Sequence, residues 1–237
     1  MTAASKTEQA EHVEPADSSE AIARDITTAI AEQRLPPGTK LREEALARMY
    51  SVSRTKIRAA LVMLAKDKLI DLVPEKGAFV SKPGEQEARE IFFVRRILEA
   101  ALVREFIAKA RPEDYARLEE HLVRERQAII DNNVQERSIL LSDFHILLAN
   151  TVGNQVLTDI LMKLAGRSSL ITMLYQSSRD ASCSSDEHGE FLRAAKAGDV
   201  ERAVELMEHH LHHVESALQF TEPAKADKKD FISALLA

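Results

Sequence analysis

The order of secondary structure predicted for the first third of the chain constrains its fold more than any other feature. Three amphipathic helical patterns are followed by two short β-prone runs, at about residues 21–34, 42–50 and 53–66 and then 70–73 and 78–80. Between the two runs, Pro74-Glu75-Lys76-Gly77 is a turn signal. Helix, helix, helix and hairpin is the order of a winged helix-turn-helix, whose third helix enters the DNA major groove.

The third pattern, SRTKIRAALVMLAK, has the features of a DNA-reading helix. Ser53 is a suitable N-cap, because its hydroxyl can accept a hydrogen bond from an unpaired backbone N–H. Apolar residues recur at helical spacing on one face, at Ile57, Ala60, Leu61 and Leu64. Arg54 and Arg58 lie one turn apart on another face, beside Thr55, and an arginine can contact O6 and N7 of guanine. The pattern also fits the solvated face of an ordinary helix, and the neighbouring wing favours DNA.

Charge is distributed unevenly along the chain. Residues 18–82 contain 12 Lys and Arg against 8 Asp and Glu, a net +4, whereas the whole chain carries −6. A basic N-terminal segment beside a larger acidic one is typical of a nucleic-acid reader joined to a domain with another task.

From residue 85 onward the sequence predicts only helices. Glycine is rare, with 7 in 237 residues, and Leu, Ala and Glu are abundant. The predicted helices cover about 85–110, 112–130, 135–150, 154–177, 185–197 and 199–220, with a polar loop at 178–185. The predicted fold class is therefore mainly α, an N-terminal winged helix-turn-helix followed by an antiparallel all-α bundle of about six helices.

The predicted domain boundaries follow from these patterns. Residues 1–17 and 221–237 are expected to be a disordered tail and a ragged tail, on either side of domains at 18–82 and 85–220. No apolar run approaches the roughly 20 residues of a membrane span, and no secretory signal is visible. Cys183 is the only cysteine, which indicates a reducing compartment, and we expect a cytoplasmic protein without membrane contact.

Three histidines lie on the inner stripes of three predicted helices: His145, His188 and His210. A single inward histidine is most simply a hydrogen-bonded core residue. Three that point into one bundle are candidate ligands for Zn²⁺, Ni²⁺ or a similar ion, and an open coordination position would accept a small molecule. Periodicity does not show whether the three converge.

Arg95 interrupts the inner apolar stripe of the first long helix. A buried guanidinium needs a partner, because an unpaired buried charge is costly. One interpretation is an ion pair with Glu99, one turn away. The other is a clamp for the carboxylate of a small-molecule effector, through bidentate hydrogen bonds. Arg167 is a weaker candidate for the same role.

The motifs LPPGTKL, LAxxYSVSRTKIRAALxxLxxDxLI and VPxKGAFV, within residues 18–82, resemble the DNA-binding domain of the GntR family of bacterial transcriptional repressors. The resemblance implies DNA contacts at the recognition helix and at the wing, from Ser53, Arg54, Thr55, Arg58, Lys76 and Gly77. Three positions depart from the family pattern. Lys56 stands where a proline is usual and Ala59 where a glutamate is usual. Glu44 occupies a position where some members carry an arginine that contacts DNA. The resemblance therefore implies the function but not the operator sequence.

The motifs FHxLLANxxGN, EHxEFLRAAKAGD and MEHHLHHV resemble the FCD effector domain of the FadR-like branch. That branch senses organic acids and holds a metal with three histidines and an aspartate four residues before the first. The resemblance implies His145, His188 and His210 as metal ligands, but Leu141 occupies the aspartate position. Asp143 is about 200° around the helix from His145 and cannot simply substitute.

These expectations combine into a homodimeric, ligand-responsive repressor, not an enzyme, that binds a near-palindromic double-stranded operator and a carboxylate effector. Two alternatives remain open at this point. A three-histidine metal site could activate water in a hydrolase fused to the DNA-binding domain. Alternatively, the protein could be a constitutive DNA-binding regulator whose pocket has degenerated because of Leu141.

Overall fold

The computed structural model describes residues 18–31, 34–176 and 181–220. The tails predicted at 1–17 and 221–237 lie outside the described residues. No helix in the described ranges combines the length and the apolarity that a membrane crossing requires.

The N-terminal part contains three helices and a small antiparallel sheet. Its elements are α1 (Ser19–Ala31), β1 (Lys40–Leu41), α2 (Glu43–Met49), α3 (Arg54–Lys66), β2 (Ile70–Val73) and β3 (Gly77–Val80). The predicted hairpin is β2–β3, and β1 pairs with the other edge of β3 to give the order β1-β3-β2. The sequence did not predict β1, because a two-residue strand is too short to show alternation.

Helix α3 forms for the reasons that its sequence indicates. The Ser53 hydroxyl accepts a hydrogen bond from the backbone N–H of Lys56 at 3.4 Å and caps the helix. The apolar face is buried against α1, α2 and β2, through Ile57, Ala60, Leu61 and Leu64. This packing leaves the N-terminal turn and its arginines on the surface.

The C-terminal part is a bundle of six helices within the described residues. They are α4 (Glu85–Lys109), α5 (Pro112–Ile130), α6 (Val134–Val152), α7 (Gln155–Tyr175), α8 (Ala181–Lys196) and α9 (Val200–Ser216). Pro112 opens α5 as predicted. Gly153 ends α6 in the left-handed region at φ +71°, and Asn154 then caps α7. Helix α4 packs on α6, α7 and α9, and α8 packs on α5, α6 and α9.

The predicted start of α8 is wrong. The polar stretch at 178–185 was expected to be a loop, but the helix already begins at Ala181, and residues 177–180 lie outside the described ranges. Serine has modest helix propensity and favours caps and turns in isolation. Here Ser184 and Ser185 are buried in the bundle, so tertiary packing overrides the local preference.

Helix α7 belongs to the bundle but also completes the N-terminal core. Leu170 is fully buried among the apolar residues of that core. One turn earlier, a Cβ at Gly166 would lie 3.2 Å from Leu69 Cδ2, so the absent side chain permits close approach. Lys163 Nζ lies 2.9 Å from an Asp67 carboxylate oxygen on the same side. The two parts of the chain are therefore packed together along one face of α7.

Candidate functional site

The structure brings the three predicted histidines together inside the bundle. His145 comes from α6, His188 from α8 and His210 from α9. One ring nitrogen of each lies within 4.8 Å of the others. The residues are 4, 1 and 5% exposed, respectively, so the cluster is shielded from bulk water.

Each histidine is held from behind by a glutamate. The pairs are His145 Nδ1 with Glu99 at 2.5 Å, His188 Nδ1 with Glu125 at 3.0 Å, and His210 Nδ1 with Glu187 at 2.8 Å. An ionised carboxylate only accepts hydrogen bonds, so each imidazole donates from Nδ1 and keeps its lone pair on Nε2. This carboxylate–histidine arrangement orients metal-binding imidazoles and increases their basicity.

Burial and charge together set the protonation states in the cluster. Burial opposes the ionisation of Glu99, but Arg95 and His145 more than offset it and lower the pKa of Glu99 to about 2. Burial similarly opposes the ionisation of Glu125, which His188 and His121 offset, and its pKa also falls to about 2. Burial lowers the pKa of His210 to about 4. Burial also lowers the pKa of His145 and of His188. The three histidines are therefore neutral at pH 7, the form that binds a metal.

The spacing of two Nε2 atoms fits a divalent metal. His188 Nε2 and His210 Nε2 are 3.3 Å apart. Two nitrogens that bind a tetrahedral Zn²⁺ at about 2.0–2.1 Å lie roughly 3.3 Å from each other. Two lone pairs that face each other at this distance repel unless a cation or a proton lies between them. The donor set, three neutral imidazoles, suits Zn²⁺ or Ni²⁺.

A cavity of about 250 Å³ adjoins the cluster. His145 and His210 form part of its wall, and Leu141 lies on the same wall. Asp143 instead lines a separate surface groove, so it does not supply the missing carboxylate, in agreement with its position on the helix. Helix α7 contributes a polar wall with Ser168, Ser169 and Thr172.

Two arginines line this cavity. Arg95 donates from Nε to Glu99 Oε1 at 2.7 Å, so the predicted ion pair exists, while its Nη2 is buried without a hydrogen-bond partner in the described structure. Arg137, which the sequence did not single out, is the second. Arg167 pairs with Glu87 and is absent from the cavity lining.

The other α9 histidines lie outside the cluster. His213 is half-buried and its Nδ1 lies 2.6 Å from Glu187 Oε1, so it shares the carboxylate that holds His210. His209 and His212 are exposed.

A second surface lies at the N-terminal end of α3. Arg54 and Arg58 are 51 and 61% exposed, respectively, and Ser53 and Thr55 are exposed beside them. Glu43 on α2 accepts from Arg54 at 3.2 Å and from Arg58 at 2.9 Å.

The departure at Glu44 has a structural counterpart in the same ion-pair network. Glu44 Oε1 accepts a hydrogen bond from Arg54 Nη1 at 3.1 Å, so this carboxylate pairs with an arginine that is predicted to contact DNA. Lys76 and Gly77 lie exposed where the β2–β3 turn enters β3, with Gly77 at φ +97°. Both predicted DNA-contacting elements are therefore accessible in the free protein.

The sequence did not identify the carboxylates behind His188 and His210. Glu125 occupies the inner face of α5 with Leu118 and Leu122, and this interruption of an apolar stripe was an available signal. Glu187 directly precedes His188, about 100° away on the helix, and gave no comparable signal.

Comparison with known proteins places both parts of the chain in one family. Residues 18–80 match the model of the bacterial regulatory proteins of the gntR family, and residues 90–213, more than half of the chain, match the FCD domain. The chain belongs to the GntR family. Among its relatives, the transcriptional repressor GlaR of Escherichia coli K12 is 30% identical over 184 residues, covering 74% of this chain and 84% of GlaR.

Other similarities are more limited. The repressor RspR of E. coli K12 is 29% identical over 130 residues, and the match spans 55% of this chain and only 57% of RspR. A putative GntR regulator from Rhodococcus sp. RHA1 superimposes with a TM-score of 0.74 at 22% identity, over 84% of this chain and 95% of that one. E. coli McbR/YncC gives 0.73 at 20% identity, over 82 and 93%. These two likenesses establish the fold alone.

Proposed function

We propose that this GntR-family protein is a ligand-responsive transcriptional regulator, most simply a repressor, that binds a near-palindromic operator as a homodimer. The observation that carries the proposal is the exposed N-terminal turn of α3, with Arg54 and Arg58 one turn apart and the wing beside it. The names of GlaR and RspR as repressors support the direction of regulation. Because the proposed operator would lie on the chromosome, we expect the protein in the cytoplasm.

In this proposal the α3 arginines read the base sequence of the operator, and the wing positions the protein on the DNA backbone. An arginine that contacts guanine contributes about 1–3 kcal/mol of discrimination, whereas contacts to phosphate fix the register without reading sequence. In the free protein Glu43 accepts from both Arg54 and Arg58, and the Arg58 guanidinium lowers the pKa of Glu43. DNA binding then exchanges these surface ion pairs for contacts to bases, which limits affinity for sequences that offer no such contacts.

The histidine cluster supports a metal-dependent effector site. His145, His188 and His210 would hold Zn²⁺ or Ni²⁺, and the metal would supply a Lewis acid that binds the carboxylate of an organic acid. Arg95 lies beside the cluster to orient that carboxylate, with Glu99 fixing its guanidinium. Among the residues described, the cavity wall offers no carboxylate as a general base, which favours binding over hydrolysis.

An exposed apolar stripe on α4 supports the homodimer. Phe93 and Ile97 are one turn apart and 58 and 56% exposed, respectively, with Val94 beside them. A contiguous apolar surface of this kind is unfavourable in water and marks an interaction site. A twofold axis along this stripe would present two DNA-binding parts to two half-sites.

Selection from a random duplex library with the full-length protein tests the proposal. The enriched sequence should be a near-palindrome. Arg54→Ala and Arg58→Ala should each weaken binding to it by about 10- to 100-fold, the value of one bidentate base contact. Arg24→Ala, at an exposed position on α1, is the matched control and should bind as the parent does.

Two outcomes would contradict the proposal. Selection that enriches no sequence, or both α3 variants binding with parental affinity, would remove the recognition-helix assignment. If the selected duplex binds normally but no metal or acid alters that binding, the protein is a constitutive regulator and the sensing part of the proposal fails.

A further inference from the structure

The charge lining the cavity is one-sided. Among the described residues that line it, the charged ones are Arg95 and Arg137, and none is an aspartate or a glutamate. Polar groups without charge come from both neighbouring helices, including Ser142 of α6 and the serines of α7. Such a wall favours an anion and can hydrogen-bond its oxygens.

Arg137 is the less satisfied of the two arginines. It is 8% exposed, and its Nε is buried without a hydrogen-bond partner in the described part of the chain. Arg95 differs because Glu99 neutralises it at 2.7 Å. A buried guanidinium without a counter-charge carries a large desolvation cost, so the geometry around Arg137 is suited to an anion supplied from outside.

Arg137 and the histidine cluster occupy opposite ends of the same helix face. Arg137, Leu141 and His145 follow each other at intervals of one helical turn and all line the cavity. Eight residues correspond to about 12 Å along the axis. Leu141, between the two ends, offers an apolar surface rather than another charge.

We propose that the effector is a dianionic organic acid, a short-chain dicarboxylate, rather than a monocarboxylate. One carboxylate binds beside the histidine cluster and Arg95, and the hydrocarbon chain of the diacid lies over Leu141. The second carboxylate binds Arg137. The inference rests on the proposed function, because it assumes that this cavity is the effector site. It adds Arg137 as the residue that determines specificity for the second anionic group.

The replacement of the family aspartate by leucine is part of this assignment. Leu141 leaves the three imidazoles as neutral donors, so a bound divalent metal would receive its anionic ligand from the effector. Leu141 also removes a negative charge that would repel the second carboxylate of a diacid. The departure from the family pattern is therefore a feature of ligand choice rather than a loss of the site.

Matched acid pairs test the inference. Titration calorimetry on the full-length, zinc-loaded protein would compare succinate with butyrate, glutarate with valerate and adipate with hexanoate. At least one diacid should bind about 10- to 100-fold more tightly than its monoacid partner, the value of one charged hydrogen-bonded contact. Arg137→Met should abolish this preference, and Arg137→Lys, which keeps the charge, should retain part of it. Arg124→Met, at an exposed position on α5, is the control and should keep the full preference.

The outcomes separate this inference from the proposed function. If the parent protein binds diacids and monoacids of equal length equally, the dianion assignment is wrong and the effector site stands. If Arg137→Met and Arg137→Lys both keep the full preference, another residue holds the second group and the role of Arg137 is refuted. If no acid of either series binds while operator binding persists, the assignment of the cavity as the effector site also fails.

Discussion

Replacing Glu125 with glutamine would show whether the carboxylates behind the histidines control metal affinity. Glu125 is fully buried, and its two oxygens lie 3.0 and 3.2 Å from His188 Nδ1. Its Oε1 also lies 3.3 Å from His121 Nε2. Glutamine has nearly the same shape but only one carbonyl oxygen and no charge. Its NH₂ group would therefore face the N–H donor of His188 or of His121, where the carboxylate offered an acceptor.

The expected cost follows from this geometry. Loss of an outer carboxylate lowers metal affinity by about 10- to 100-fold, or about 1.4 to 2.7 kcal/mol. We expect the upper half of this range, because the site is closed to water that could replace the lost acceptor. Zinc-dependent stabilisation, the free energy of unfolding with zinc minus that without, should fall by the same amount at equal excess of free zinc.

Competition with a chelator of known affinity, together with urea unfolding in the presence and absence of zinc, would measure both quantities. Glu119→Gln is the matched control, because Glu119 is on the same helix but exposed, where it pairs with Lys196 at 2.5 Å. That variant should bind zinc as the parent does. Parental zinc affinity in Glu125→Gln would refute the argument and leave Glu125 as a purely structural partner of His121 and His188.

Two further predictions concern the neighbouring surfaces. Leu141→Asp places a carboxylate one turn from His145, so the metal affinity measured by chelator competition should rise about tenfold or more, and carboxylic acids should bind more weakly. Unchanged metal affinity would show that this position does not face the ion. Phe93→Glu puts a charge into the α4 stripe and should weaken the homodimer by about tenfold or more in sedimentation analysis. Val123→Glu, on an exposed part of α5, is its control, and equal behaviour of both variants would place the dimer interface elsewhere.

The fold could be predicted from the sequence largely because its signals are local. The N-cap of Ser53, the apolar face of α3 and the start of α5 at Pro112 each depend on residues within one or two turns. The predictions that failed depended on distant contacts. Strand β1 exists because Lys40 and Leu41 pair with β3, and α8 extends to Ala181 where bundle packing buries its serines.

The candidate site shows the same division. The stripe positions of His145, His188 and His210 could be identified from helical periodicity, but their convergence depends on how three helices cross. Arg137 lies eight residues, about two turns, before His145 on the same helix face, and this position was an available signal that the sequence analysis did not use. Its significance depends on its burial beside a cavity, which is a property of the assembled bundle.

Helix α7 gives a physical route from the cavity to the DNA-binding part. Ser168 and Thr172 line the cavity, while Leu170 faces the N-terminal core. Leu170 is two residues from each of them, about 200° around the same helix. An effector that draws α7 towards the cavity must displace or carry Leu170, which that core encloses completely. If α7 can adopt two positions, the effector can shift the equilibrium between them, and with it the spacing of the paired DNA-binding parts, only as far as its affinities for the two positions differ. Because α7 contacts both the cavity and the N-terminal core, a ligand that favours one position of α7 would also favour one position of the DNA-binding part.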